Sequence, residues 1–402
     1  AAAGLMAGIG DIYSVYYTKE EMEKFNEETE GVYAGIGCQL LADPSDLLIT
    51  VTRVFKGSPA EKAGIRAGDK IVYVNDVYYS AYEMQEAVSI MRGTPGESVK
   101  VTVMRGLDTL DFDVVRENVN INYVEYEILE GNIGYVMVFD FLGDAYEGFA
   151  EAIDTFRAAN VSGMIIDLRN NGGGHVISSN MLSTCIAGAA CQGKVYEYYR
   201  YNDSRMATVE KTARETGKEY DTAAKKFFDE FYYGDYYGVD LRNYALNMTR
   251  LYVLVTGNTA SSSEAVINTL RGLDGFTVKL IGEKTNGKNV GMEVSKFTVG
   301  NYSYELAPIS FQGYNAKQVT VDKNGLAVDT ACEEWDGELK DYGDRSEPML
   351  AAALSQITGQ RSASVSGTRS TAPGVRPATD IALPDLSNRP SGMIVFLPAS
   401  EE

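Results

Sequence analysis

Near its middle, the 402-residue chain contains the stretch Met164-Ile165-Ile166-Asp167-Leu168-Arg169-Asn170-Asn171-Gly172-Gly173-Gly174. In it, an apolar run is followed by a glycine-rich loop. Its apolar start reads as a buried β-strand ending at Asp167. The three glycines that follow allow backbone N–H groups to point into open space, where they can stabilise an oxyanion. No Gly-Lys-Ser/Thr follows, which excludes a phosphate-binding P-loop, whereas a plain tight turn stays open.

Apolar runs on both sides of this stretch alternate between strand and helix patterns. Strands alternating with helices indicate βαβ units and a mainly parallel sheet, whose ligand-binding loops follow the carboxyl ends of the strands. The predicted strands are Ile133–Val138, Met164–Ile166, Leu251–Val255 and Val278–Ile281, and the predicted helix faces are Phe149/Ile153/Phe156 and Val266/Ile267/Leu270.

Two further loops after predicted strands carry reactive side chains. Thr259–Glu264 opens a helix, so Ser261 lies at the positive end of a helix dipole, which suits a nucleophile. Ser261 and Glu264 also have capping-box spacing, which is a purely structural alternative. Gly282–Lys288 is polar and contains two lysines. A lysine packed against apolar surface loses its proton more easily and can serve a serine as general base, although a solvated loop lysine is the ordinary alternative.

The amino-terminal part of the chain has a different, β-rich pattern. Residues 31–118 read as a small module in which Val99, Val101 and Val103 alternate with polar residues, as in a half-buried strand. Two short helices have clear start signals, at Ser58-Pro59-Ala60-Glu61 and at Ser80-Ala81-Tyr82-Glu83.

Taken together, these motifs resemble the carboxy-terminal processing proteases, also called tail-specific proteases. These are serine peptidases with a Ser–Lys pair and an embedded PDZ domain. The resemblance covers residues 4 to about 357. It is carried by Gly57–Asp69, by the order of the glycine loop, Thr259–Glu264 and Gly282–Lys288, and by Gly8–Ser14 at the start. It implies a mixture of α/β and β-rich folds, with a crotonase/Clp-protease-like βαβ protease core and an inserted PDZ domain.

The resemblance also implies roles for individual residues. Ser261 corresponds to the nucleophile, and Lys288 rather than Lys284 to the general base. Gly174 and Ser262 correspond to the two N–H donors of the oxyanion hole. We therefore expect a serine endopeptidase that cuts proteins near exposed, apolar C-terminal tails and needs no metal or nucleotide cofactor.

Two departures from the family pattern support a competing hypothesis. Asn289 follows the lysine where the family has glycine, and Met292 stands where many members have a glutamine that orients the lysine. A thioether cannot donate a hydrogen bond, so a catalytically weak or dead PDZ-containing binding protein is the first alternative. The second is a serine hydrolase that uses His175, the only histidine, as its base.

The PDZ resemblance predicts a second binding site on the same chain. PDZ domains add an extended peptide as a strand and hold its terminal carboxylate with backbone N–H groups. Gly35, Ile36 and Gly37 match the family's carboxylate loop, although a plain glycine turn is the alternative. The expected partners are therefore proteins or peptides with free C-termini, whereas the oligomeric state is open.

Composition excludes or disfavours several kinds of partner and site. The net charge of −20 disfavours nucleic acid as a partner, and the absence of a run of 18 apolar residues excludes a membrane span in this chain. One histidine and no CxxC pair disfavour a metal site. Cys185 and Cys191 are open to a disulfide or to buried free thiols. The chain begins at Ala1 without an initiator methionine, which we interpret as a removed signal or anchor. With the family resemblance, this implies an extracytoplasmic protein, at the cell surface, periplasmic or secreted.

Three segments stand apart from the PDZ domain (31–118) and the protease core (119–357). Residues 1–30 have a polar, helical pattern around Lys19–Lys24. Residues 194–250 hold 10 of the 27 tyrosines and resemble an amphipathic, mostly helical insertion. Residues 358–402 are rich in Pro, Ser and Thr and should lack a core of their own. Their one apolar run, Met393–Leu397, could add a strand to another sheet.

Overall fold

The structure is a computed structural model of the whole chain. It describes residues 2–10, 13–18, 32–42, 46–120, 122–143, 145–215, 229–234, 241–299, 302–334, 340, 342–359 and 393–396. The chain divides into two compact units. The first comprises Ala1–Asn26, Tyr123–Cys332 and Pro390–Glu402, and the second Glu27–Asn122 and Glu333–Arg389.

The helices are α1 (Ala2–Ile9), α2 (Pro59–Ala63), α3 (Met84–Met91), α4 (Ala145–Ala159), α5 (Val176–Ala187), α6 (Asp203–Glu215), α7 (Ser262–Gly272) and α8 (Pro348–Thr358). The strands are β1 (Val15–Tyr17), β2 (Val32–Gly35), β3 (Cys38–Ala42), β4 (Ile49–Val54), β5 (Lys70–Val74), β6 (Val77–Tyr78), β7 (Ser98–Arg105), β8 (Asp108–Val115), β9 (Glu117–Asn120), β10 (Val124–Leu129), β11 (Ile133–Val138), β12 (Gly163–Asp167), β13 (Val195–Arg200), β14 (Asp229–Tyr232), β15 (Arg250–Val255), β16 (Thr277–Gly282), β17 (Val290–Val299), β18 (Tyr302–Ala307), β19 (Ile309–Tyr314), β20 (Thr330–Ala331) and β21 (Met393–Phe396).

A mainly parallel sheet forms the centre of the first unit, in the order β10-β11-β12-β15-β16-β20. Only the β10–β11 pair is antiparallel. Every residue of β11 is buried, as expected for a strand covered on both faces. Each predicted strand of the central region lies in this sheet, and the predicted helix faces belong to α4 and α7. The expected βαβ core is therefore confirmed.

A second, seven-stranded sheet in the same unit was not anticipated. Its pairing path is β1-β18-β17-β19-β13-β14, with β21 on the other edge of β17. The registers Val299↔Tyr302, Ser295↔Leu306 and Val290↔Gln312 show that β18 and β19 follow one another along one edge of β17. The possible strand in Met393–Leu397 is thus present as β21, and it pairs in parallel with β17.

The second unit contains the sheet β3-β4-β5-β7-β8, with β6 on β5, and the separate pair β2–β9. Its core consists of alternating apolar residues that include Val99, Val101 and Val103, as the sequence pattern predicts. The backbone N–H of Glu61 donates to Oγ of Ser58 at 3.2 Å, so this predicted helix start is present. β3 is an edge strand of the sheet, a position at which a peptide strand can be added.

Two segment predictions need correction. In residues 1–30 the predicted helix holds for Ala2–Ile9, but Val15–Tyr17 form a strand, and Lys19–Lys24 lie outside the described residues. Among the described residues of 194–250, Asp203–Glu215 is the one α-helix, while Val195–Arg200 and Asp229–Tyr232 are strands. Both strands are rich in aromatic residues, and the rings of Tyr196 and Tyr199 in β13 pack on Phe231 in β14, which outweighs the helical pattern.

Candidate active site

The three loops singled out in the sequence follow neighbouring parallel strands. β12 leads into the glycine loop, β15 into the Ser261 loop, and β16 into the Lys288 loop. Because the carboxyl ends of parallel strands meet at one edge of the sheet, the fold brings the three loops together. Hydrogen bonds then join them. The N–H of Ala260 donates to the carbonyl of Asn171 at 3.0 Å, and the N–H of Asn286 to that of Thr259 at 3.0 Å.

The glycine loop is held by the side chain of Asn171, which is fully buried. Its amide donates to the carbonyl of Val138 at 2.8 Å, and its oxygen accepts from the N–H of Gly173 at 2.8 Å. A Cβ atom on Gly173 would lie 2.9 Å from Cβ of Ser261 and 3.0 Å from the nitrogen of Ser262. Glycine is therefore required where this loop approaches Ser261.

A buried ion pair lies at the end of β12, just before the glycine loop. The guanidinium of Arg169 donates to both oxygens of Asp167, at 2.9 and 3.1 Å from Nε, and the hydroxyl of Tyr135 donates to Oδ2 at 2.7 Å. Both charged side chains are at most 2% exposed. Removing one partner would leave a buried, uncompensated charge, so this pair fixes the base of the loop.

Ser261 has the backbone geometry of a strained turn. Its φ is 57° and its ψ is −116°, a combination that residues with a side chain rarely adopt. The residue is 1% exposed and immediately precedes α7. Strain of this kind persists only where the surrounding structure imposes it, and it is common at catalytic nucleophiles on strand-to-helix turns.

Gly174 and Ser262, the two predicted oxyanion donors, are neighbours. The hydroxyl of Ser262 donates to the carbonyl of Gly174 at 2.8 Å. Ser262 is the first residue of α7, so its N–H has no partner within the helix. Within the described ranges, no acceptor is recorded for the N–H of either residue. Both groups thus remain available to a ligand oxygen.

Glu264 connects the Ser261 loop to the Lys288 loop. One of its carboxylate oxygens accepts the N–H of Ser261 at 3.1 Å and that of Lys288 at 2.9 Å. The other accepts the hydroxyl of Thr285 at 2.5 Å and the N–H of Gly287 at 2.8 Å. Burial raises the pKa of this carboxyl, while the four hydrogen bonds oppose that shift. The capping-box interpretation of Ser261 and Glu264 is therefore correct, but the same carboxylate also positions Lys288.

Lys288 is 3% exposed, whereas Lys284 lies at the surface. The Nζ atom of Lys288 is 4.4 Å from the centroid of the Tyr13 ring. Sequence reasoning missed this contact, because nothing in a single sequence shows that two segments so far apart in the chain meet in space. Met292 does not take the place of an orienting glutamine. It is 1% exposed and packs in an apolar cluster with Tyr17, Val294 and Ala307.

His175 is the residue before α5 and directly follows the glycine loop. Its N–H donates to the carbonyl of Phe141 at 2.8 Å. Burial lowers the pKa of its imidazole to about 4. The side chain is therefore neutral at neutral pH.

The predicted carboxylate loop of the second unit lies between β2 and β3. The carbonyls of Ile36 and Gly37 accept the N–H groups of Ala60 at 2.7 Å and Phe55 at 3.0 Å, so the loop is anchored through its oxygens. Among the described residues, no acceptor is recorded for the N–H of Ile36 or Gly37. Gly37 has a φ of +82°, and a Cβ there would lie 2.4 Å from Cβ of Ser58.

Other features bear on cofactors and membranes. No group of three His, Cys, Asp or Glu side chains in the described ranges is arranged to hold a metal ion. Where the chain is described, no helix has the length and apolar character to cross a membrane. All four cysteines are free, and Cys185 and Cys191 are buried, which removes the disulfide alternative.

Comparison with protein-family models gives two matches. Residues 132–329 match peptidase family S41, and residues 50–105 match a PDZ domain. The carboxy-terminal processing protease CtpA of Bacillus subtilis is 27% identical over 302 residues, which is 75% of this chain and 57% of that protein. A Staphylococcus aureus protein named as a CtpA-like serine protease is 28% identical over 75% of this chain and 53% of its own length. The chain thus spans little more than half of these relatives.

Solved structures agree with these matches at the level of the fold. A Bacteroides fragilis chain assigned to the S41 proteases has a TM-score of 0.63 at 21% identity, covering 88% of this chain and 87% of its own. The photosystem II D1 C-terminal processing protease has a TM-score of 0.50 at 21% identity, covering 82% of this chain and 80% of its own. The expected resemblance to the carboxy-terminal processing proteases and the expected fold class are therefore confirmed.

Proposed function

The chain carries a peptidase family S41 domain and a PDZ domain, and we propose that it is a serine endopeptidase with a Ser261–Lys288 catalytic pair. The observation that carries this proposal is the strained, buried Ser261, which shares the carboxylate of Glu264 with Lys288. Each backbone nitrogen lies about 3 Å from the same oxygen, so the two residues are close neighbours.

The reaction follows from these positions. Neutral Lys288 takes the hydroxyl proton of Ser261 as Oγ attacks the scissile carbonyl. The N–H groups of Gly174 and Ser262 stabilise the oxyanion that forms. Lys288 then returns the proton to the leaving amine, which leaves an acyl group on Ser261. Water hydrolyses the acyl-enzyme by the same route and restores the hydroxyl. No step needs a metal ion or a nucleotide.

The PDZ domain supplies the preference for tails. The open N–H groups of Ile36 and Gly37, with Gly35 before them, suit the capture of a terminal carboxylate, and the edge strand β3 suits pairing with the residues before it. Holding a tail on the same chain raises the effective concentration of its protein at Ser261. The proposed substrates are therefore proteins with free, apolar C-termini, and by resemblance we place the enzyme outside the cytoplasm.

Labelling with a fluorophosphonate tests the catalytic assignment directly, because the probe reacts with an activated serine and needs no peptide recognition. Wild type should be labelled on Ser261, and Ser261→Ala should not. Ser178→Ala, which removes another buried serine, serves as the matched control and should be labelled normally.

A binding protein on an inactive protease core is the second candidate. Burial of Met292 in an apolar cluster favours it, because no glutamine at this position orients the lysine. Wild type would then resist the probe yet bind tailed peptides through Gly35–Gly37. A folded protein that binds peptide acids but is never labelled would establish this candidate and overturn the first.

A further inference from the structure

β17 begins two residues after Lys288, and one of its edges pairs with β19 at Val290–Met292 and with β18 at Ser295–Val299. Its other edge carries β21, which pairs in parallel from Gly291↔Met393 to Val294↔Phe396. These are the only pairings recorded for that edge within the described ranges. A sheet edge of this kind can accept any extended chain, since main-chain hydrogen bonds supply the affinity.

The same short strand also approaches α5. This helix starts at Val176, directly after the loop that carries Gly174, whereas β17 starts directly after Lys288. β21 therefore lies beside both elements that lead away from the candidate catalytic groups. A scissile peptide must enter the same neighbourhood, because it has to reach Ser261 and the two oxyanion donors at once.

We propose that the outer edge of β17 at Gly291–Val294 accepts the extended backbone of the substrate, and that the segment Met393–Phe396 occupies this edge as an intramolecular competitor. The binding of substrate at this edge rests on the proposed protease function, whereas the pairing of the tail segment with it does not. In the structure, the chain's own apolar segment Met393–Phe396 is paired with this edge.

The covalent connection makes such a short competitor effective. A four-residue strand would bind weakly in trans, but a tether raises its effective concentration to roughly millimolar. A free peptide at micromolar concentration would then be outcompeted at the edge of β17. A protein held by the PDZ domain has its own raised effective concentration and can displace the segment. The tail thus favours tethered substrates over free ones.

Two proline substitutions test the pairing in the full chain. Adjacent residues of a strand point their N–H groups to opposite sides, so Ile394→Pro with Val395→Pro removes one donor to β17 whichever residue supplies it. The control is Val375→Pro with Ile381→Pro, which makes the same changes in the same tail outside the described residues. Hydrogen exchange of the peptide that contains Gly291–Val294 should be faster in the first variant and unchanged in the control.

A fluorescent synthetic peptide with the sequence of residues 391–400 measures whether the edge becomes available. It should bind the first variant roughly two- to tenfold more tightly than the control. The KM for a C-terminally amidated peptide substrate, which the PDZ domain cannot hold by a carboxylate, should fall by a similar factor. Labelling of Ser261 should be equal in both variants.

Each outcome is informative. Equal exchange and equal peptide binding in the two variants would overturn the occupancy of β17 by the tail. Faster exchange and tighter binding with an unchanged KM, in protein that is labelled normally, would show that the tail pairs with β17 but does not compete with substrate. Absence of labelling in every variant would refute the protease function, while exchange and binding would still decide whether the tail occupies the edge.

Discussion

The side-chain nitrogen of Lys288 lies 4.4 Å from the centroid of the Tyr13 ring, so the amino-terminal segment is part of the candidate active site. The two residues are 275 positions apart in the sequence, yet they belong to the same compact unit. A ring face attracts an ammonium group and limits its orientation. The ring of Tyr13 thus lies against the side-chain nitrogen of Lys288, whereas Met292 is buried in an apolar cluster.

Substitution of Tyr13 should separate the ring face from the hydroxyl group. Tyr13→Phe keeps the face, so we expect kcat to stay within a few-fold of wild type. Tyr13→Ala removes the ring that orients the amine and stabilises the ammonium formed as Lys288 takes the proton of Ser261. We expect kcat to fall by about tenfold or more, because such a contact contributes on the order of 1–2 kcal/mol when desolvated. Steady-state kinetics on one peptide measure both variants. An equal loss in both would assign the effect to the hydroxyl instead.

Lys288 and Lys284 offer a matched pair for identifying the general base. Lys288→Ala should lower kcat by about 10²–10⁴-fold, the usual contribution of a positioned base, with the protein still folded. Lys284→Ala removes an exposed lysine from the same loop and should leave kcat unchanged. Activity should also rise with pH, because only the neutral amine accepts the proton of Ser261. The reverse pattern in the two variants would transfer the base to Lys284.

Glu264 should matter through position rather than through direct contact with substrate. Glu264→Gln keeps the size of the side chain but replaces one carboxylate oxygen, a hydrogen-bond acceptor, with an NH₂ group, which is a donor. One or two of the four donors would lose their partner, at about 1–3 kcal/mol each in a buried site. We expect a lower melting temperature and a lower kcat, with little change in KM. A higher KM with an unchanged kcat would argue against a role of Glu264 in aligning Ser261 and Lys288.

His175 should have no part in proton transfer. Its pKa is lowered to about 4 by burial, so it stays neutral across the working range, and His175→Gln should keep activity within a few-fold. The lowered pKa of His175 also determines how the stability of the fold changes with pH. The unfolded chain binds a proton near pH 6.5 and the folded chain only near 4, so stability decreases as the pH falls through this window. The decrease is at most on the order of 1 kcal/mol per pH unit.

Denaturant titrations between pH 7 and pH 4 measure this contribution as the difference between wild type and His175→Gln. The variant should lose less stability over the window, because glutamine has no proton to bind. An activity profile that rises with a midpoint near 6.5 in wild type and becomes flat in His175→Gln would restore the histidine-based mechanism.

The sequence predicted those parts of the fold that are marked by a residue pattern within one short segment. β11, β12, β15 and β16 are continuous apolar runs, and the loops after them could be placed together because parallel strands end at the same edge. The seven-stranded sheet could not be predicted, because it joins β1, β13, β17 and β21 from four distant regions. Register between such segments depends on tertiary packing, which a single strand pattern does not encode.

The candidate site divides in the same way. Ser261, Lys288, Gly174 and Ser262 could be selected because each lies in a recognisable motif. The contact of Tyr13 with Lys288 and the shared carboxylate of Glu264 depend on which loops meet in space. The helical expectation for 194–250 was wrong at β13 and β14 because short stretches of aromatic residues beside charged ones fit an amphipathic helix and a strand almost equally well.

The loop Gly35–Gly37 has little room for an added side chain at Gly37. Gly37→Ala combines an unfavourable φ of +82° with a Cβ only 2.4 Å from Cβ of Ser58, so the loop must shift and its N–H groups lose their alignment. Gly96→Ala is the matched control, because its φ is +90° but its Cβ would meet no atom within 4 Å. We expect Gly37→Ala, but not the control, to weaken cleavage of peptides that end in a free carboxylate.

Peptides of one sequence, made as C-terminal acid and amide, identify what the loop recognises. Wild type and Gly96→Ala should cleave the acid faster than the amide, because a charged acceptor strengthens the hydrogen bonds from the N–H groups of Ile36 and Gly37. In Gly37→Ala the two rates should converge, while fluorophosphonate labelling of Ser261 stays normal. Equal rates for acid and amide in wild type would show that the PDZ domain does not recognise the terminus. The preference for C-terminal tails would then have to be given up, and the domain would bind internal sequences or a partner protein.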